Sequence, residues 1–396
     1  MATIPLPDLA SPQFKANPYP FYARLRAEAP VVRARVPIAG TGWLVTRYDD
    51  VFTALRDGRF ANDWSPRMPW FLRRLARPIT RHMLVRDAPD HTRLRTLVNK
   101  AFTPRLIERL RGRIENLCDE LLDAGAAAGR MDLVRGYALP LPITVIAELL
   151  GIPAEDRLRF HAWSRGMVAA SSNLGMMKAL PGVWSAIQYM RQLFAERRAR
   201  PKDDLVTALV EAEEAGDRLS EEELVAMVIL LMLAGYETTV NLIASGTLAL
   251  VENREQRERF QQEPELGESA VEELLRYTSP LEIASVRLLR EELRIGSTIV
   301  PRGELILAVL GSANRDEAQF ADPDKLDIAR EPNRHVAFGQ GAHFCLGAPL
   351  ARLEGRIALT SLFQRLPDLR LAVPRESLCW RRSLVFRGLE SLPITF

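Results

Sequence analysis

From Leu224 the chain runs for twelve residues, LVAMVILLMLAG, without one charge, and the apolar pattern then continues to about Glu252. Ser220 followed by Glu223 is a capping-box start. Together they predict one helix roughly 50 Å long. A helix that is apolar around its whole circumference has to be surrounded. Only the middle of a large domain or a bilayer can surround it. The bilayer is disfavoured on two counts. The uncharged run is short of the roughly 20 residues that a span needs, and Glu237 and Asn241 would lie at mid-depth at high cost. The opening segment, MATIPLPDLASPQF, has no basic stretch leading into an apolar one, so no signal peptide is expected. The expectation is a cytoplasmic protein with no membrane anchor, folded around this helix.

The 396 residues suffice for one large domain or for two to three ordinary ones. With 47% apolar and 26% charged residues the chain is no disordered or fibrous protein. Fifty-three basic against 50 acidic residues offer no case for a nucleic-acid binder. Only five of those 53 are lysine, and coding bias is the simplest account of that excess of arginine. Cys118, Cys345 and Cys379 are far apart with no C-x-x-C pair, which excludes a zinc ribbon and fits a reducing compartment. Residues 18–29 are helical in pattern, and Val31 to Arg47 reads as two strands around the turn IAGTG. Residues 61–90 hold Pro66, Pro69, Pro78 and Pro89 and read as a long irregular loop. Helical pattern fills 90–200. After Ser279 come short β-like runs (SVRLL, LRIGSTIV, ELILAVLG), a Gly-rich loop, a helix from about Ala348 to Leu366 and a strand-like end. Helix dominates and no Gly/Ser linker divides the chain. The expected fold is mainly α with small β-sheets (α+β), in a single domain spanning 1–396.

Phe338 to Gly347 reads FGQGAHFCLG. A lone cysteine is usually a small buried apolar residue, and that is the reading for Cys118 and Cys379. Cys345 differs in its setting. It lies just before a helix start, where a thiolate is favoured. Gly339, Gly341 and Gly347 allow close backbone approach, so N–H groups can be aimed at the sulfur. Phe338 adds an apolar wall. One cysteine on such a loop suits a metal whose remaining positions are mostly filled by a large planar cofactor. A G-x-G could instead cradle a phosphate, but no Gly-Lys-Ser follows. The whole string resembles the haem-binding loop of the cytochrome P-450 enzymes of the soluble bacterial type, F-G-x-G-x-(His/Arg)-x-C-x-G, at every fixed position. The resemblance implies haem b between the long central helix and the Cys-bearing loop. It makes Cys345 the thiolate ligand of the iron, sets Phe338, Gly339 and Gly347 against the cofactor, and puts His343 on a propionate. The APLAR string at 348–352 also resembles the bacterial subgroup.

Ala234-Gly235-Tyr236-Glu237-Thr238-Thr239 interrupts the apolar helix. Ala234, Glu237, Thr238 and Asn241 recur at i, i+3, i+4 and i+7 and so share a face. Ala234 and Gly235 permit close approach of a flat ligand. A threonine hydroxyl can bond the i−4 carbonyl and bend the helix. Buried polar groups are usually just hydrogen-bonded, so a kinked core helix and an opened pocket both fit these residues. The string resembles the family's (Ala/Gly)-Gly-x-(Asp/Glu)-Thr motif. That implies Glu237 and Thr238 as the acid–alcohol pair delivering protons to bound dioxygen, and a true monooxygenase.

Weaker patterns take their meaning from the same resemblance. The E-x-x-R of Glu273 and Arg276 recurs at Glu108/Arg111, Glu291/Arg294 and Glu331/Arg334, and alone it reads as a solvated helix pair. Its place after the central helix implies a structural triad with Arg330. His91 and Arg95 lie four apart on one helix face, and arginine suits carboxylates; by resemblance they and Arg287 hold the haem propionates. ANRD at 313–316 and DPD at 322–324 fit the family as well. The implied activity is insertion of one oxygen atom from dioxygen into a hydrophobic small-molecule substrate, by hydroxylation or epoxidation. Electrons would come from a ferredoxin or flavodoxin with its NAD(P)H reductase, to a monomer with no fused reductase. Arg93, Lys100, Arg105, Arg109 and Arg113 are expected to form a basic docking patch. Substrate contacts are implied at Leu230, Leu231 and Ala234, at Ile283 and Val286, at Leu384 and Val385, in segment 167–190 and in the 61–86 loop. The arginines of that loop, Arg67, Arg73, Arg74, Arg77 and Arg81, read as solvated. The alternatives are a haem-thiolate peroxygenase or rearranging enzyme, and a non-catalytic haem-based sensor or binding protein. A cysteine hydrolase is disfavoured because His82, His161 and His335 lie in no nucleophile context.

Overall fold

The computed structural model describes residues 5–36, 40–67, 70, 80–126, 128–157, 159, 162–163, 173–214 and 216–396. Arg73, Arg74, Arg77, His161 and residues 167–172 therefore lie outside the described residues.

The long helix forms as Glu221–Glu252. Ser220 Oγ accepts from the Glu223 N–H, and the Glu223 carboxylate accepts from the Ser220 N–H at 2.9 Å. Glu221, Glu222 and Glu223 add negative charge to its first turn, where the helix dipole favours it. By length and composition this helix could cross a membrane, but 72% of its most apolar window is buried inside the protein. Helices Pro140–Leu149, Gly267–Thr278 and Ala348–Arg365 pack along it. Small residues let them approach. A Cβ on Gly355 would sit 2.8 Å from Leu242 Cδ2, and one on Gly235 3.0 Å from Ile146 Cδ1. Close packing of this kind makes the central helix apolar on every side.

The strands are few and short. The largest sheet orders Val31–Val36, Gly40–Val45, Leu305–Ala308, Arg287–Leu289 and Phe60–Ala61. Leu305–Ala308 runs parallel to Gly40–Val45 and antiparallel to Arg287–Leu289. All four of its residues are buried, which is why it reads as an unbroken apolar run and not as an alternation. Its register sets Ile306 opposite Arg287 and so delivers Arg287 to the site. A second sheet joins Arg370–Leu371, Pro393–Thr395 and Arg130–Asp132. Further along, Leu281 bridges Phe386, and the Val385 carbonyl accepts from the Glu282 and Ile283 N–H groups at 2.8 and 3.2 Å. The architecture is mainly helical with small sheets.

Candidate active site

The cysteine loop is shaped by its glycines. Gly339 at φ 71° and Gly341 at φ 74° turn the chain in a conformation other residues rarely adopt. The Cys345 N–H donates to the Phe338 carbonyl at 2.9 Å and closes the loop. A Cβ on Gly341 would lie 3.0 Å from the Leu55 carbonyl oxygen, so the loop is seated on helix Tyr48–Arg56. Burial pushes the Cys345 thiol pKa up, against the Gly347 N–H, Arg95, Arg352 and the Ala348 N–H, which all favour the thiolate. Cys345 as a residue nonetheless keeps surface open. Beside it the Phe338 ring packs 4.6 Å from the Arg352 guanidinium. Arg352 in turn grips Glu272 with bonds of 2.7 and 2.8 Å, and His335 Nε2 lies 3.1 Å from the same carboxylate. Burial opposes charge on Glu272, but Arg352 and His335 prevail and bring its pKa down to about 2.

Next to this loop four basic side chains gather. The His91 and His343 rings lie 4.0 Å apart between centroids. Burial, then His91, Arg287 and Arg95, push the His343 pKa down to about 3, so its ring is neutral. Burial and Arg95 likewise lower that of His91. Burial brings Arg287 down to about 10. Its Nη1 donates to the Leu55 carbonyl at 3.2 Å, while its Nε is buried without a partner. Among the described residues no carboxylate contacts Arg95 or Arg287; Asp87, which bonds the Asn62 N–H and Arg290, acts on Arg287 only through its field. Two arginines without a carboxylate in contact, beside two histidines held toward their neutral forms, suit ligand carboxylates.

The central helix opens in its middle. Ala234 is exposed and Thr238 half-buried, although the flanking turns are buried. Thr238 Oγ1 donates to the Ala234 carbonyl at 3.2 Å. Glu237 points elsewhere. Its buried carboxylate pairs with Arg381, which also bonds the Asn241 side-chain oxygen. Burial raises the Glu237 pKa and Arg381 opposes it. Gly388 forms the floor of this group, since a Cβ there would collide with Asn241 Oδ1 and lie 2.5 Å from Arg381 Nη2.

The family model of cytochrome P-450 matches residues 13–369. The chain belongs to the cytochrome P-450 family. It is 45% identical to the polyketide biosynthesis cytochrome P-450 PksS of Bacillus subtilis (strain 168), across 97% of this chain and 96% of that protein. It is equally 45% identical to the vitamin D(3) 25-hydroxylase of Pseudonocardia autotrophica, across 98% and 96%. Among solved structures, that of PksS superposes with a TM-score of 0.93 over 98% of this chain and 99% of that one. A myxobacterial cytochrome P-450 in complex with myristic acid, 43% identical, superposes at 0.92 over 99% of both. The protein is accordingly a haem-dependent monooxygenase that inserts one oxygen atom of dioxygen into a hydrophobic small organic substrate, with electrons from a redox partner.

The residues present fit haem. A thiol at the start of a helix, with backbone N–H groups aimed at it, stands beside a cation cluster able to neutralise two propionates. The other residues singled out in the sequence divide as follows. Arg276 holds Glu273 through two bonds of 2.7 Å, and Arg330 Nε reaches both carboxylate oxygens at 3.2 Å. Arg276 Nη1 also donates to the carbonyls of Asn314 and Pro323 at 2.9 and 2.8 Å, which ties the ANRD and DPD strings to the same knot. Leu231 and Ile283 are buried in the core, whereas Leu230, Val286, Leu384 and Val385 keep part of their surface open. Ile283, Val286 and Leu384 share one apolar cluster. Gly235 packs on Ile146, a helix–helix contact. One expectation needs correction. The expected basic patch is largely neutralised: Arg93 pairs with Asp217 and Glu223, Arg109 with Asp203, and Arg113 with Glu120 and Glu148. Sequence reasoning missed Arg381 and the Glu272–Arg352–His335 group. Nothing local links Arg381 to Glu237, 144 positions earlier.

Proposed function

We propose that Cys345 is the thiolate ligand of haem b, and that His91, Arg95, Arg287 and His343 bind its propionates. The observation that carries this is the gathering of those four groups, without a carboxylate partner among the described residues, next to the loop of the exposed cysteine. When bound, the haem iron supplies the activation of dioxygen. Phe338, Gly339 and Gly347 form the wall on the cysteine side. The Gly347 and Ala348 N–H groups stabilise the sulfur charge. Ala234 keeps the helix surface low where the cleft opens. Thr238 Oγ1, fixed by its bond to the Ala234 carbonyl, accepts and passes on a proton. Glu237 is the acid of the pair: burial raises its pKa, and Arg381, which pairs with its carboxylate, opposes that shift. Glu273, Arg276 and Arg330 are structural.

Leu230, Leu231, Ala234, Ile283, Val286, Leu384 and Val385 are assigned to the substrate pocket. They are all apolar, and the relatives' names, a polyketide pathway and vitamin D(3), point to a substantial apolar molecule. Electrons come from a ferredoxin or flavodoxin with its NAD(P)H reductase. The protein is a cytoplasmic monomer, and residues 1–396 form one domain. The test is the absorption spectrum of the reduced carbon-monoxide complex. Wild type is expected to show the red-shifted thiolate band and Cys345→Ser to lack it. A folded wild type without that band refutes the ligand assignment. Thr238→Ala is expected to lower product formed per electron consumed; unchanged coupling refutes the relay.

A further inference from the structure

A cleft of about 470 Å³ shares no residue with the site above. It lies between the segment around Ala16–Ala23 and the far end of the central helix, at Ser245, Leu248 and Glu252. Its wall is an alternating stack of rings and guanidiniums. Arg315 is sandwiched between Tyr277 at 3.8 Å and Tyr19 at 4.1 Å, and Arg387 lies 5.1 Å from Tyr19 and 4.0 Å from Trp380.

The charges of this wall do not balance. Arg387 is buried, and its nitrogens donate to the carbonyls of Lys15, Thr278 and Ala16 at 3.0, 3.3 and 3.4 Å. Among the described residues no carboxylate pairs with it. Lys15 and Glu282 nearby neutralise each other at 2.9 Å. Arg315 has only Asp324, which is 73% exposed, and Arg375 at the rim pairs with Glu252. Three guanidiniums thus face two carboxylates. Two groups of the lining, Ser245 Oγ and Arg315 Nε, are buried without a hydrogen-bond partner. The volume is that of a small-molecule site.

We propose that this cleft binds a planar aromatic carboxylate as a second ligand, distinct from the substrate. Its ring lies along the half-exposed edges of Tyr19 and Tyr277 and its carboxylate answers the surplus charge of Arg387 and Arg315. The structure favours this class because ring faces and guanidiniums alternate along one wall. A purely apolar ligand would leave the charge unanswered, and an inorganic anion would leave the half-exposed edges of Tyr19 and Tyr277 uncovered.

Calorimetric titration of the haem-loaded protein with 1-naphthoate, imidazole saturating the iron, tests the proposal. The expected result is one saturable site. The uncharged analogue 1-naphthalenemethanol should bind about tenfold more weakly or worse. Ala23→Trp and Asn17→Trp, which crowd the cleft from its rim, should weaken naphthoate by a similar factor and leave the unfolding midpoint and haem spectrum unchanged. Absence of saturation, equal binding of the neutral alcohol, or undiminished affinity in both rim variants overturns the proposal. The last outcome would put the probe in the substrate pocket.

Discussion

Two buried charge clusters lie close to the cysteine loop, and they are built in opposite ways. In the knot around Glu273 both arginines reach one shared carboxylate. Glu273 and Arg276 are fully buried, and the carboxylate receives Arg276, Arg330, the Asp327 N–H and the Asn333 amide. In the cluster of His91, Arg95, Arg287 and His343 no carboxylate among the described residues makes contact; Asp87 acts on Arg287 and both histidines only through its field, and Arg287 Nε is left without a partner. The first arrangement is complete in the protein alone and serves the fold. The second leaves its arginines without a carboxylate in contact, which is the ground for assigning them to ligand propionates. Glu354, 1% exposed with Oε2 unpartnered, shows a third solution: burial raises its pKa to about 8, so it stays largely protonated at neutral pH. Burial of charge is therefore no mark of function by itself. What separates the clusters is whether the protein supplies the counter-charge.

The contrast is tested most strongly by Glu273→Gln, which leaves two buried arginines without their carboxylate. A loss of about 3–5 kcal/mol in denaturant unfolding is expected, with or without haem. A loss below about 1 kcal/mol would mean that the knot is not the structural element. Glu354→Gln comes next, with the opposite sign. Because the folded pKa of this acid is raised, the native state forgoes stability as pH rises from the ordinary carboxylate range toward 8. The variant should therefore gain on the order of 3 kcal/mol near neutral pH, and the gain should vanish toward pH 4. A pH-independent difference would show that Glu354 finds a partner. Arg287→Leu should alter the stability of the haem-free protein by no more than about 1 kcal/mol while weakening haem retention roughly tenfold, read by transfer to apomyoglobin. Equal loss in both measurements would erase the distinction between the clusters. The smallest effect is expected for Arg381→Gln, which removes the group opposing burial of Glu237. The proton-delivery step should shift to higher pH with a fewfold drop in coupling and unchanged unfolding. An unaltered pH profile would detach Arg381 from the relay.

The arginine excess looks different in three dimensions. Arg276 and Arg330 each bond several carbonyls besides a carboxylate. Arg315 and Arg387 stack between aromatic rings. A planar fork with five donors can do this and an ammonium cannot. Lys15, one of the five lysines, is fully buried where a compact charge meets Glu282. At these positions the choice of cation is dictated by geometry.

The readings that needed only neighbouring residues were legible in the chain. The capping box and apolar run of 220–252, the turn glycines of 339–341 and the helix beginning at Ala348 are each written within one or two turns of backbone, where local conformational preference decides. The face shared by Ala234, Glu237, Thr238 and Asn241 was legible only in part. Helical spacing sets them on one side, but Glu237 and Asn241 follow Arg381 while Ala234 and Thr238 open to the cleft. The sequence by itself therefore determined the family, the fold class and the turns and helix start that shape the cysteine loop. Only the tertiary structure decided that Arg381 restrains Glu237, that Gly235 serves packing on Ile146 and that the expected docking arginines are mostly paired. The physical reason is range. Backbone preference acts over a few residues, whereas the partner of a buried charge can come from any point of the chain and is chosen only when the core closes around it.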